Sequence, residues 1–187
     1  MAYLEDHKAK LENLKAVLHA SNQTQLSRTA NGGRSVLFTY PPNEEVLYIA
    51  KLKKELDESE FTFINVAELL VKFIDQDGWE DFKNYYLEFK DTPHIVFKSD
   101  DPATDLMDLI INEIKKAELN NKVPVLIRTG ALYGTGIENN NIMEHSFVMM
   151  LKKPLVIGYP CEYIKANDTL LFLNFKHSNK YRCTVIE

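Results

Sequence analysis

Three stretches of the chain combine residue types that can do chemistry, and each one follows an apolar run. The first is Thr39 to Glu45. A phosphate-binding turn needs glycine-rich backbone N–H donors and a Lys-Ser/Thr pair at a helix start. Here Pro41 and Pro42 remove two donors, and Glu44 and Glu45 bring negative charge to the helix N-terminus. Nucleotide phosphate is expected to be repelled. Asn31 to Arg34 supplies glycines, but it precedes the strand and cannot replace the turn. The second stretch is Ile127 to Gly136, with Arg128, Gly130, Tyr133, Gly134 and Gly136. Its G-x3-G-x-G spacing is not the dinucleotide G-x-G-x2-G, and an arginine stands where a nucleotide hydrolase would place acids. It reads either as an anion or ligand site or as a turn that needs positive φ angles.

The third stretch is Gly158 to Tyr163, with Tyr159, Cys161 and Tyr163. Cys161 on a loop could act as a nucleophile with His145 or His177 as base. A lone cysteine with scattered histidines also occurs in many inert proteins. His145 beside Glu144 reads as a surface or satisfied histidine, and neither H-x3-H nor H-E-x2-H occurs. Cys161 and Cys183 are too few for a disulfide framework or a cysteine-based zinc site. No complete catalytic, cofactor or metal motif stands in the chain. It is therefore expected to be a non-enzyme without a cofactor.

Composition narrows the class further. At 187 residues, with 45% hydrophobic and 26% charged residues, the chain suits one globular core. The net charge of −5 is uneven: residues 1–120 carry −8 and residues 121–187 carry +3. That disfavours a general nucleic-acid binder, which needs a basic stripe. The acidity peaks between Asp75 and Asp108, which suits solvated helix faces or a surface that meets a basic partner. The first residues are charged, and no run approaches the ~18 apolar residues of a membrane span. A cytoplasmic protein with reduced thiols and no membrane partner is expected.

The elements that must position these stretches alternate. A helix over residues 3–19 carries Leu4, Leu11, Leu14 and Leu18 on one side, with a partly exposed His7 in the same stripe. Residues 20–34 form a polar loop, so residues 1–34 read as a helical extension of an α/β domain over 35–187. Ser35 to Tyr40 is a strand. Asn43 is expected to cap a helix with Val46, Ile49, Leu52 and Leu56 inward. Phe61 to Asn65 is a strand, and Val66, Leu69, Leu70, Phe73 and Ile74 mark an amphipathic helix. Residues 78–90 read as a helix whose aromatics (Trp79, Phe82, Tyr85, Tyr86, Phe89) pack into the core. His94 to Phe97 fits a short strand or an extended link. Asp101 and Pro102 should open a helix to about Leu119, with Leu106, Leu109, Ile110, Ile114 and Ala117 inward.

Val123 to Ile127 is a strand. Asn139 to Asn141 can cap one helix with Ile142, Met143, Phe147 and Met150, and Pro154 to Ile157 is a strand ended by Gly158 to Pro160. Leu170 to Leu173 and Tyr181 to Ile186 are two last strands, expected to pair antiparallel. Strands alternating with helices predict a single three-layer α/β domain with a mostly parallel sheet. It would be P-loop-NTPase-like or Rossmann-like without a phosphate loop. Loops at the carboxyl ends of parallel strands share an edge. Arg128, Gly130, Tyr133, Gly134, Gly136, Tyr159, Cys161 and Tyr163 are therefore expected side by side as a binding edge.

The stretch from 123 to 182 resembles a family. An apolar strand is followed by the turn Gly130, Ala131, Leu132, Tyr133 and a helix. A second apolar strand then ends in Tyr159-Pro160, and the stretch closes on Tyr181-Arg182. This order is similar to that of BrxB, the B protein of bacteriophage-exclusion (BREX) defence systems. The leading helix and the strands at 35–40 and 61–65 fit the same order more loosely. Two positions depart from the family: Cys161 replaces the usual glycine after Tyr-Pro, and Thr135 to Glu138 lacks the basic residue that often follows the Gly-x-Leu-Tyr turn.

The resemblance implies a small cytoplasmic, non-catalytic component, an adaptor or scaffold, of a multi-gene phage-defence complex. Its partners would be the PglZ-like protein first, then the large ATPase or the adenine-specific DNA methyltransferase. The other reading is a small-molecule or nucleotide-binding enzyme that uses the Gly130–Gly136 loop and Cys161.

Overall fold

A computed structural model describes residues 2–19, 33–97, 105–164, 166–167, 169–178 and 183–186. The elements run α1 (Ala2–Leu18), β1 (Ser35–Tyr40), α2 (Glu45–Glu55), β2 (Phe61–Asn65), α3 (Val66–Asp75), α4 (Trp79–Glu88), α5 (His94–Phe97), α6 (Leu106–Leu119) and β3 (Val123–Ile127). They continue with α7 (Asn139–Glu144), α8 (Ser146–Met149), β4 (Leu155–Ile164), β5 (Thr169–Phe172), β6 (Lys176–Ser178) and β7 (Cys183–Ile186). Five strands are parallel in the order β2-β3-β4-β1-β7, and the β5–β6 hairpin adds antiparallel to β4. The expected three-layer α/β domain with a mostly parallel sheet is what forms. Its strand order differs from the doubly wound dinucleotide fold, where the first strand neighbours the second.

Alternation along the strands divides the core by face. Val36, Phe38, Tyr40, Val125, Ile127 and Val156 face α1 and α2. Leu37, Leu126, Leu155, Ile157 and Tyr159 face α3 to α8. Leu11 and Leu14 of α1 are buried in the first of these layers, so this helix packs onto the sheet. The side chain of Leu4 and residues 20–32 lie outside the described residues. Capping explains two helix starts. Asn65 Oδ1 accepts the Glu68 N–H at 3.4 Å, and Asp105 Oδ1 accepts the Asp108 N–H at 2.7 Å. The expected inward stripe of α6 is buried at every position, and Ile111 joins it.

Several expectations need correction. Asn43 does not cap α2, because Pro42–Glu44 forms a 3-10 turn and the helix begins one residue later, at Glu45. In this helix Val46 is exposed, and Tyr48 is buried beside Ile49 and Leu52. His94 to Phe97 is one helical turn, neither strand nor link. The start expected at Asp101 and Pro102 lies outside the described residues. Asn139 to Asn141 sit inside α7. Glu138 is the N-cap, and Asn141 returns its side chain in a capping box. The helix then breaks at His145, where ψ is 132°, and α8 restarts on a bond from the Phe147 N–H to His145 Nδ1.

The strand after Pro154 does not end at Gly158. It continues to Ile164, because β1 pairs with it as far as Pro160 and β5 takes over from Cys161. Pro160 is accommodated at the exchange, where its carbonyl accepts the Leu173 N–H at 2.9 Å. The last strands do not pair with each other. β5 joins β4, and β7 crosses to pair parallel with β1. Residues 181 and 182 lie outside the described residues.

Candidate functional site

At the carboxyl end of β1 the chain turns through Pro41 and Pro42 and presents Glu44 and Glu45 at the first turn of α2. Both carboxylates have neighbours besides the helix dipole. Glu45 Oε1 accepts from the Tyr40 hydroxyl at 3.2 Å, and Arg128 Nη1 stands 3.8 Å from Glu45 Oε2. His7 Nε2 lies 3.2 Å from Glu44 Oε2. The other imidazole nitrogen, Nδ1, is 2.7 Å from Lys51 Nζ. An ammonium can only donate, so Nδ1 accepts and the ring proton sits on Nε2, facing Glu44. His7 is only 3% exposed, not partly exposed as its helix position suggested. Its ring lies 4.4 Å from Tyr48, which stacks on Tyr40 at 5.4 Å. Where a phosphate turn would stand, this edge holds stacked rings and carboxylates.

Gly158 completes that edge. A Cβ there would lie 3.1 Å from both the Tyr40 hydroxyl and the Leu126 carbonyl oxygen. Its glycine makes room for Tyr40 in mid-strand and does not end the strand. Burial, and then the Glu45 carboxylate, push the Tyr40 phenol far above its ordinary range.

The turn after β3 holds itself together. Arg128 adopts a left-handed conformation at φ 56°. Thr129 Oγ1 donates to the Gly158 carbonyl at 2.6 Å, and Thr135 Oγ1 donates to the Leu132 carbonyl at 2.8 Å. Gly134 and Gly136 have positive φ. A side chain at Gly136 would collide with His94, so this glycine lets α5 pack close. Gly130 lies against Leu173 and Pro160. Each glycine here either packs tightly or turns the chain.

Tyr159, Cys161 and Tyr163 lie on β4, not on a loop. Tyr159 is buried against Phe172, with ring centroids 4.9 Å apart. Burial pushes its phenol up to about 12, opposed by a hydrogen bond with Ser178. Cys161 is buried, and burial pushes its thiol up to about 12, against the thiolate a nucleophile needs. Neither candidate base is placed to change that. His145 caps α8. Cys161 pairs with Phe172, which pairs with Lys176, whereas His177 pairs with Leu171. His177 is therefore two strands away and on the opposite face.

The expected edge residues divide among neighbourhoods. Tyr133 and Tyr159 line one cavity with Leu37, Met143 and Phe172. Cys161 and Tyr163 line a recess with Thr39, Tyr40 and Pro41. Tyr133 shares a groove with Gly134, Gly136 and His94, while Arg128 stands at Glu45. Among the described residues, no three His, Cys, Asp or Glu side chains come together to hold a metal ion, and no helix is long and apolar enough to cross a membrane.

Sequence reasoning missed one surface. Of the α4 aromatics only Phe82 is buried, against Phe73 and Phe97. Trp79 is 59% exposed, and Tyr85, Tyr86 and Leu87 are exposed with it. Residues 75–91 carry six acidic and two basic side chains, so the aromatic face has an acidic surround. The signal was present: aromatics fall at 79, 82, 85, 86 and 89, more than one helical stripe can bury. The chain matches no family model, no curated protein and no solved structure.

Proposed function

We propose that this chain is a cytoplasmic, non-catalytic adaptor of a BREX-type phage-defence complex, the role its resemblance to BrxB implies. The observation that carries the reading is the exposed Trp79, Tyr85, Tyr86 and Leu87 on one acidic helix. Tryptophan and tyrosine anchor protein interfaces because they bury a large area at small conformational cost. The acidic surround disfavours direct contact with nucleic acid and suits a protein partner with basic residues around an apolar pocket. The carboxylates at the start of α2 support the non-catalytic part, since they occupy the position of a nucleotide phosphate.

The test is capture of the purified PglZ-like protein from the same gene island, followed by the ATPase and the methyltransferase. Trp79→Ala and Leu87→Ala are compared with Arg128→Ala and Tyr133→Ala, each checked by thermal melting. Loss of capture with the α4 pair at unchanged melting temperature supports the reading and puts the interface on α4. Full capture by all four well-folded variants, or no binding of any of the three proteins to the wild type, refutes it.

A further inference from the structure

The groove where the turn after β3 meets the start of α5 differs in kind from the closed α2 edge. Its volume is about 560 Å³, and it is open to solvent. Tyr133 and Phe175 line it, 55% and 57% exposed, and their rings meet edge to face at 5.1 Å and 87°. Two perpendicular rings in solvent make an apolar corner that needs little ordering to receive a partner. Gly134 and Gly136 line the same groove and are exposed, so a backbone can approach there without meeting a side chain. Pro93 adds a third ring. The remaining lining residues are His94 and Lys176. With the Tyr133 hydroxyl they bring N–H and O–H donors. Lys176 is matched by Glu138 at 2.6 Å, so the groove offers these donors without a strong charge of its own. Negative charge lies beside it, because the acidic stretch over residues 75–91 ends at Asp91, two residues before Pro93.

We infer that this groove binds a proline-rich segment in the polyproline II conformation, with arginine or lysine at one end. A proline tract supplies compact apolar rings to pack on Tyr133 and Phe175. Its backbone has carbonyl acceptors and no N–H donors, the complement of the donors that line the groove. It is already extended before it binds, so little ordering entropy is lost on an open surface. Asp91 and the acidic residues before it match the basic end and oppose a nucleic-acid backbone. None of the lining residues belongs to the α4 surface, so the site holds whether or not the chain is an adaptor.

The probe is a fluorophore-labelled oligoproline with arginines at one end, titrated with the whole chain and followed by anisotropy. It is expected to bind saturably and about tenfold or more tighter than its alanine-substituted counterpart, which loses more entropy on binding. Tyr133→Ala and Phe175→Ala should each weaken it by about tenfold or more at unchanged melting temperature, since both rings are more than half exposed. Glu88→Gln combined with Asp91→Asn should weaken it at low salt and leave an arginine-free oligoproline unaffected. Equal binding of the proline and alanine peptides overturns the inference. So does full affinity in both aromatic variants, equal affinity with and without the arginines at low salt, or no binding at millimolar concentration. Tighter binding of oligothymidylate overturns it too and assigns the rings to nucleobases. The wild-type comparisons decide the matter even if a variant does not fold.

Discussion

Helices α2 and α4 are nearly equal in length, both carry acidic residues in the first turn, and both carry aromatics, yet they meet opposite fates. In α2, Tyr48 is buried between His7 and Tyr40, and the carboxylates of the first turn face His7, Tyr40 and Arg128. In α4, Phe82 alone is buried, and Trp79 stands 59% in solvent. The difference comes from what covers each helix. α1 lies over α2 and closes it, whereas among the described residues nothing covers the outer side of α4. Residue type gives the capacity to bury area, and the neighbouring element decides whether that capacity is spent inside the fold or left for a partner.

The largest expected effect breaks the comparison at its buried end. Tyr48→Ala removes the central ring of the His7–Tyr48–Tyr40 stack and leaves a cavity. Urea unfolding is expected to show a loss of about 3–5 kcal/mol, the usual range for a buried aromatic. A loss under ~1 kcal/mol would mean that the stack is not part of the stable core.

Trp79→Ala tests the other end. Stability should stay within about 0.5 kcal/mol of the wild type, while partner affinity drops by ~2 kcal/mol or more, roughly thirtyfold. Destabilisation comparable to Tyr48→Ala would erase the contrast between the helices.

A third expectation concerns the buried titratable groups on the sheet. Burial raises the Cys161 thiol from its ordinary 9.0 to about 12 and the Tyr159 phenol from 10.0 to about 12. A group raised in the folded state adds stability that is fully present below its unfolded value and is lost as pH rises through the folded one. For Cys161 the decline therefore begins near pH 9 and runs to about 12, at up to ~1.4 kcal/mol per pH unit. Cys161→Val should remove that part of the slope and leave stability at pH 7 nearly unchanged. The two alkaline denaturation profiles would coincide if the thiol titrated normally.

Smaller still is Arg128→Ala. Its contact with Glu45 is 3.8 Å long and partly exposed, so stability should change by less than about 1 kcal/mol. The smallest expected effect is none at all: Mg-ATP at 1 mM should give no binding heat, because Glu44 and Glu45 hold the phosphate position. A micromolar dissociation constant, worth roughly −8 kcal/mol, would show that the α2 edge is not closed.

Much of the fold was legible from local pattern. The strands at 35–40, 61–65 and 123–127 and the inward stripe of α6 follow from apolar runs and helical spacing, which are properties of neighbouring residues. The α/β class follows from their alternation. Of the candidate site, the two prolines and two glutamates after β1 could be read directly, because proline removes a donor wherever it sits and a carboxylate carries its charge anywhere on the surface.

Non-local partners decided the rest. β4 runs through Gly158 and Pro160 because β1 and then β5 pair with it, and no local signal reports a strand 120 residues away. β7 leaves its sequence neighbours for β1. The β1 and β5 pairings of β4 set where Tyr159, Cys161 and Tyr163 stand. His7 is buried because α2 brings Glu44, Tyr48 and Lys51 to it, and Trp79 is exposed because no described element covers it. Composition and period specify what a segment can become. Strand order and helix cover, which depend on contacts distant in sequence, decide which of its residues remain available to anything else.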